Sequence, residues 1–445
     1  MTQQASWLIR GGRVIDPSQD LDMVADVLLR AGKVAEIGAS LAPSDAAVIE
    51  AAEQVVCPGF VDLHCHLREP GYEDKETIAT GTAAAAAGGF TTVCCMPNTS
   101  PVLDSAPVLA SVQRTAQAVG AVRVVPIAAI TKEQAGHQMV EMGELAEAGA
   151  IAFSDDGHCV TDSGVMRRAL EYSLLVRRPV VQHAEDPALS SGGGMHEGAV
   201  SARLGLGGWP RQAEEVIVAR DLALAEITGA HLHVAHVSSA GSVALIQQAR
   251  QRGIHVTAEV TPHHLTLTDD LVAGRWWSAT ASLPPYDTRT KVNPPLRPRK
   301  DVDALVAGLR DGTIDVIATD HAPHTTADKQ CEYDRASFGI SVLETALGSI
   351  MSLVHEGNLS LRRAVEALTA APARVFGLPA GTLRPGAAAD VTVFDPEREW
   401  SVDTTRFRSL GHNTPLDGVF LRGQVTHTFV DGALAFQLED ALPHE

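Results

Sequence analysis

Residues 59–71, GFVDLHCHLREPG, place Asp62, His64, His66 and Arg68 at every second position of an otherwise apolar run. Alternate side chains of a strand project to one side, so these four are expected on one face, with Leu63, Cys65 and Leu67 on the other. Imidazole nitrogen and carboxylate oxygen are the donors that zinc and similar divalent ions take, and His-x-His offers two of them at one strand end. The same pair can be a polar strand edge. It gains meaning only if further donors arrive from elsewhere in the chain.

A barrel would bring them. Between residues 57 and 370, eight short apolar runs alternate with Ala-rich amphipathic segments. They are FVDLHCH (60–66), TTVCCMPN (91–98), VRVVPIAAI (122–130), IAFSDDG (151–157), PVVQHAED (179–186), LHVAHVSS (232–239), HVTAEVTPHH (255–264) and DVIATDHAPH (315–324). The intervening ETIATGTAAAAAG, VMRRALEYSLLVRR, EEVIVARDLALAEITG and SVALIQQARQRG read as helices, several ending at a glycine suited to a left-handed cap. Eight such units predict an α/β fold, a (β/α)8 TIM-type barrel over 57–370, with its site at the C-terminal strand ends. The flanks, 1–56 and 371–445, carry short alternating segments such as WLIRGGRVID and VTHTFVDGALAF. They are expected to pair into a small β-sandwich domain formed from both termini. VAGRWWSATASLPPYDTRTKVNPPLRP (272–298) reads as a large loop at the barrel mouth.

On that rim, strand one contributes His64 and His66, strand four Asp155 and Asp156, strand five His183, strand six His236, and strand eight Asp320, followed by His321 and His324. Imidazoles and carboxylates converging from five strands predict a metal centre. His231 and His233 lie deeper in their strand and read as packing or surface residues. His263 and His264 read as groups that could orient ligands through hydrogen bonds, and His137, His355 and His444 as bystanders. Lys132, just past strand three, reads as a surface helix residue.

Composition narrows the partners. A formal net charge of −19 argues against nucleic acid, whose binding needs clustered Lys and Arg. It leaves room for an acidic small-molecule substrate, because a local cation such as Arg68 can outweigh a distant acidic surface screened by salt. No apolar run approaches the roughly 20 residues that cross a bilayer, and no basic-then-apolar leader opens the chain. Neither a membrane nor export is therefore expected. Cys57, Cys65, Cys94, Cys95, Cys159 and Cys331 form no Cys-x-x-Cys pair. They fit a reduced, cytoplasmic setting and read as small apolar packing groups.

The ordered series PGFVDLHCHLREPG, MPNTSPV, FSDDG, QHAED, HVAHVSS, TAEVTPHHL, NPPLR, ATDHAPH and FGI resembles the dihydroorotase family, in its longer bacterial type within the amidohydrolases. The resemblance runs nearly the whole chain. It implies a zinc-dependent, reversible cyclisation of N-carbamoyl-L-aspartate to L-dihydroorotate in pyrimidine biosynthesis. It further implies one or two zinc ions, with two favoured: His64, His66 and Asp320 around one, His183 and His236 around the other, and Asp156 bridging. Spacing alone does not choose Asp156 over Asp155; the DDG pattern does. Asp320 is implied as the catalytic base and then acid. Arg68 and Asn98, helped by His324, are implied to hold the substrate carboxylate, with His66 and Asn293 and backbone groups at Phe338 and Gly339 also facing substrate. A homodimer and an association with aspartate transcarbamoylase are compatible with the same resemblance. Two alternatives fit less well. Another cyclic amidohydrolase, a hydantoinase or allantoinase, is disfavoured by Arg68, Asn98 and the lack of a bridging lysine on strand four. A catalytically silent scaffold for the transcarbamoylase is disfavoured because each ligand histidine is present.

Overall fold

The computed structural model describes residues 6–275 and 283–439; part of the expected mouth loop, 276–282, and His444 lie outside the described residues. All eight barrel runs form parallel strands. In order they are Phe60–Cys65, Phe90–Cys95, Arg123–Pro126, Phe153–Ser154, Val180–Gln182, Leu232–Val234, Val256–Val260 and Val316–Ile317. Adjacent runs are hydrogen-bonded neighbours except at two places, and single parallel bridges close both. Ala128 meets Phe153 between strands three and four, and Cys65 meets His321 between strands one and eight. The ring is therefore complete in sequence order, and the rim residues all lie at its C-terminal end.

Helices between the strands start where the sequence supplies a cap. Thr77, Asp162 and Ser239 each accept a backbone N–H of the first turn in Ile78–Ala87, Ser163–Val176 and Ala240–Gln251. The glycine end holds for Gln212–Thr228, closed by Gly229 at φ 73°, whereas Ser163–Val176 ends on Arg177 at φ 53°. Inside the ring, Val61, Leu63, Cys94, Ile127, Ala152, Val181, Ala235 and Val316 form an apolar plug, sealed by Ala371 and Phe376 from the helix Ala370–Phe376.

Simple alternation does not survive along strand one. Leu63 packs in the interior with Val61, while Cys65 and Leu67 pack outward against the helices. The pairing register slips between Asp62 and Cys65, and Arg68, at φ 61°, turns the chain out of the strand altogether. Of the cysteines, Cys57, Cys65, Cys94 and Cys95 are buried as expected, Cys159 is half-buried and Cys331 is exposed.

The two termini build one eight-stranded sheet. Trp7–Asp16 pairs with Leu21–Arg30 on one side and with Ala47–Glu50 and Val55–Pro58 on the other; Val55–Pro58 then pairs antiparallel with Val391–Ser401. Gly12 is needed where strands cross, since a Cβ there would stand 2.5 Å from Val56 Cγ2. The sheet folds over on itself: Ala389 N–H donates to Gly32 O at 2.9 Å, and Ile9, Val27 and Val34 share a core with Val391, Val393 and Phe429. Among the described residues, no helix is long and apolar enough to cross a membrane.

Asp62, whose role the sequence leaves open, is a brace across the closure of the ring. Its buried carboxylate accepts from Thr319 N–H at 2.8 Å, from Thr319 Oγ–H at 2.5 Å and from His64 N–H at 3.2 Å. Burial pushes its pKa up to about 7 against the pull of those three donors. Strand eight thus reaches Asp320 already tied to strand one. Asp62→Ala would leave the buried Thr319 N–H without an acceptor and the Thr319 hydroxyl with only its longer bond to His64 O at 3.3 Å, and should lower stability by about 1–3 kcal/mol. Urea denaturation of the metal-free protein reads this as a lower midpoint, and an unshifted midpoint would remove the bracing role.

Candidate metal centre and active site

Asp156 sits at the centre of the rim. Its Oδ1 lies 3.3 Å from His64 Nε2, 3.5 Å from His183 Nδ1 and 3.5 Å from His236 Nε2, and its Oδ2 lies 3.5 Å from His66 Nε2. Two groups able to hold a metal ion share it: His64, His66 and Asp156, and Asp156, His183 and His236. Asp320 stands beside the first, with Oδ1 3.0 Å from His66 Nε2 and 3.6 Å from His64 Nε2. Burial would raise the Asp156 pKa, but His64, His183 and His236 outweigh it and hold the carboxyl well below its usual range.

The neighbouring Asp155 is committed elsewhere. Its Oδ1 accepts from the backbone N–H of Ile130 and Thr131, and its Oδ2 from the Thr131 hydroxyl. Asp155 therefore ties strand four to the end of strand three, which leaves Asp156 as the aspartate facing the mouth. Lys132 is exposed, as its sequence context suggests.

What aims the imidazoles is a set of acceptors behind them. His64 Nδ1–H donates to Glu259 Oε1 at 2.6 Å, His66 Nδ1–H to Asn98 Oδ1 at 2.9 Å, and His183 Nε2–H to Glu185 Oε2 at 3.0 Å. A carboxylate can only accept, so in their neutral form His64 and His183 present a lone pair on the opposite nitrogen. That nitrogen is the one nearest Asp156 in each case. Glu259 was missed in the sequence, although its place in the buried strand Val256–Val260 is a signal that a carboxylate has a partner. Its other oxygen lies 3.0 Å from His233 Nε2, so His233 is a support for the site and more than a packing residue. Glu185 was likewise missed. Burial opposes its charge, but His183, Ser190 and Asn293 bring its pKa down to about 2.

A cation fits this donor set. His64 Nε2 and Asp156 Oδ1 are buried without any hydrogen-bond partner, and His183 Nδ1 faces His236 Nε2 at 2.8 Å. Several lone pairs therefore converge on one dry point, an arrangement that is costly unless something positive is held there.

The remaining predicted residues form a second arc. Arg68 is half-buried; its Nε donates to Pro323 O at 3.3 Å, and its Nη2 lies 3.4 Å from His324 Nε2. Among the described residues it has no ion pair. Glu69 and Glu73 instead accept the backbone N–H of Ile78 and Gly71. His324 Nε2–H donates to Phe338 O at 2.7 Å; burial and then the charge of Arg68 bring its pKa down to about 3, so the ring is neutral. Asn293 Nδ2 donates to Glu185 at 3.0 Å, leaving its Oδ1 buried and unpartnered. The Gly339 N–H is already donated to Lys291 O. His264 bonds Thr261 and Pro294 O, whereas both ring nitrogens of His263 are buried without partners. Neither reaches a ring of the metal cluster by hydrogen bond. A cavity of about 620 Å³ opens beside strands three to five, with Gly157 and Glu185 in its wall. Arg68, Asn98 and His324 do not line it.

Comparison with known proteins agrees with this geometry. The family models Dihydro-orotase-like and Amidohydrolase family match residues 53–242 and 299–436. A dihydroorotase of Anaeromyxobacter dehalogenans (strain 2CP-C) is 54% identical over 96% of this chain and 97% of its own length. One from Pelotomaculum thermopropionicum is 53% identical over 97% and 98%. Among solved structures, the L-hydantoinase (dihydropyrimidinase) from Arthrobacter aurescens superposes with a TM-score of 0.85 at 27% identity, covering 96% of this chain and 95% of its own. The dihydropyrimidinase from Brevibacillus agri, at 24% identity and a TM-score of 0.82 over 96% and 94%, shares the fold. With the closed barrel, the paired metal-ligand groups and relatives above half identity over almost every residue, the chain belongs to the dihydroorotase family of the amidohydrolases.

Proposed function

We propose that the chain is a zinc-dependent dihydroorotase, interconverting N-carbamoyl-L-aspartate and L-dihydroorotate for pyrimidine biosynthesis. The observation that carries this reading is the pairing of a dry cluster of unpartnered ligand atoms with a half-buried arginine that has no ion pair among the described residues. One part suits polarisation of a carbonyl; the other suits a carboxylate. L-Dihydroorotate carries both.

In this reading His64, His66 and Asp320 would hold one ion and His183 and His236 a second, with Asp156 common to both groups. When bound, the ions supply a water acidic enough to be a nucleophile near neutral pH and polarise the ring carbonyl. Asp320 then takes the proton of the attacking water on its carboxylate and returns it to the ring nitrogen as the amide bond breaks. Burial disfavours its charge, but His66 and His64 hold its pKa far below the usual carboxylate value, so it begins the cycle ionised. Arg68 binds the substrate carboxylate through parallel N–H groups, which orients the ring as well as attracting it. Asn98, with Oδ1 turned to His66, keeps Nδ2 for the same carboxylate. Asn293 Oδ1, buried without a partner, would accept from a ring N–H, and backbone groups near Phe338 and Gly339 would contact the same ring.

The discriminating experiment compares zinc-loaded protein on L-dihydroorotate, hydantoin and allantoin. Ultraviolet-monitored opening of dihydroorotate should dominate, and a preference for hydantoin would overturn the assignment. Arg68→Ala should raise KM for dihydroorotate roughly ten- to hundredfold, the loss of a charge-assisted contact; if KM and kcat both stayed at wild-type values, the carboxylate role would be wrong. Glu259→Ala should weaken zinc binding about 10- to 100-fold by freeing the His64 ring, measured by competition with a chromophoric chelator. Unaltered affinity there would show that His64 needs no support.

A further inference from the structure

We propose that Asn413 is a positioning residue for substrate, fixing the distance between the carboxylate-binding and ring-binding sides of the site. The inference rests on the dihydroorotase reading above. Asn413 comes from far away in the chain, on the segment between the strands Val391–Ser401 and Phe420–Val430 of the terminal sheet.

Its side chain is 4% exposed and uses its whole hydrogen-bonding capacity. Oδ1 accepts from His324 N–H at 2.9 Å and from Ser341 Oγ–H at 2.8 Å; Nδ2 donates to Ala322 O and to Gly339 O, both at 3.0 Å. An amide has two donor hydrogens and two lone pairs, so a single planar group clamps two loops in a fixed relation. The first loop carries Pro323 and His324, the neighbours of the Arg68 guanidinium. The second carries Gly339 at φ 142°, where a Cβ would stand 2.7 Å from Ala322 Cβ. Such an approach tolerates no slack. The segment itself presses on the first loop, since a Cβ on Gly411 would stand 2.4 Å from Pro323 Cβ.

The position of the clamp explains why it acts on substrate more than on metal. Strand eight is tied to strand one through Asp320 N–H to His64 O and His66 N–H to His321 O, both at 2.9 Å. Beyond His321 those ties end and the contacts of Asn413 begin. None of its four partners belongs to the metal-holding groups. Its loss should therefore loosen substrate binding and leave the ions in place.

The test uses the full-length, zinc-loaded protein with L-dihydroorotate. Asn413→Ala is expected to raise KM about tenfold, the worth of its lost polar contacts, with kcat within about threefold and zinc content as in wild type. Asn413→Asp should raise KM further, because a carboxylate would face two carbonyl oxygens. Ser341→Ala, which removes one of the four bonds, should give a smaller rise. Asp403→Ala, at an exposed turn of the same segment, should change neither constant. An unchanged KM in folded Asn413→Ala, or a fall in kcat that tracks zinc loss, overturns the proposal. If that variant does not fold, Ser341→Ala decides on the same criterion. A wild-type protein inert toward dihydroorotate fails the functional reading itself, whereas an active wild type with unshifted variants fails this inference alone.

Discussion

Everything at the mouth depends on holding imidazole lone pairs at one another and at a carboxylate inside a water-poor space. Left free, the rings would rotate and find other partners. Glu259, Asn98 and Glu185 prevent this by taking the hydrogen of the far nitrogen of His64, His66 and His183. The supports are themselves held. Glu259 also receives His233 and the backbone of His236, and Glu185 receives Ser190 and Asn293. A site of this kind is built from outside inward, and its accuracy comes from groups that never touch the reacting atoms.

The barrel and the terminal sheet divide this labour. Strands one and eight are joined by Asp62 and by the backbone exchange around His66, which sets the metal side. The terminal segment that carries Ser409 and Asn413 reaches under the loops that follow strand eight. There Ser409 meets Glu76, which lies 3.4 Å from His321, and Asn413 meets the loops themselves. The terminal sheet is thus joined to the site by polar contacts as well as by packing.

Much of this was legible in the sequence because period and position carry it. Eight apolar runs imply a ring, and the imidazoles and carboxylates at the ends of five of them imply its contents. Other parts were not legible for equally physical reasons. Alternation predicted one face for residues 62–68, but a register slip before Cys65 and the turn at Arg68 lie below the resolution of a two-residue period. Asp155 and Asp156 are equal in spacing, and only the bonds to Ile130 and Thr131 separate them. Glu259 hides as one acid in a strand, and Asn413 lies some 90 residues past the loop it holds. Contacts of that range leave no local pattern to read.

The mixed sheet also sets an order of events during synthesis. Val55–Pro58 has its antiparallel partner in Val391–Ser401, about 330 residues later. At about 5–20 residues per second, the edge of the early strand stays open for on the order of 20 to 70 s while the whole barrel emerges. An open apolar edge is a template for the wrong neighbour. The nascent chain must therefore fold its barrel with an unfinished sheet at its flank, and a ribosome that stalls before residue 391 leaves that edge unsatisfied.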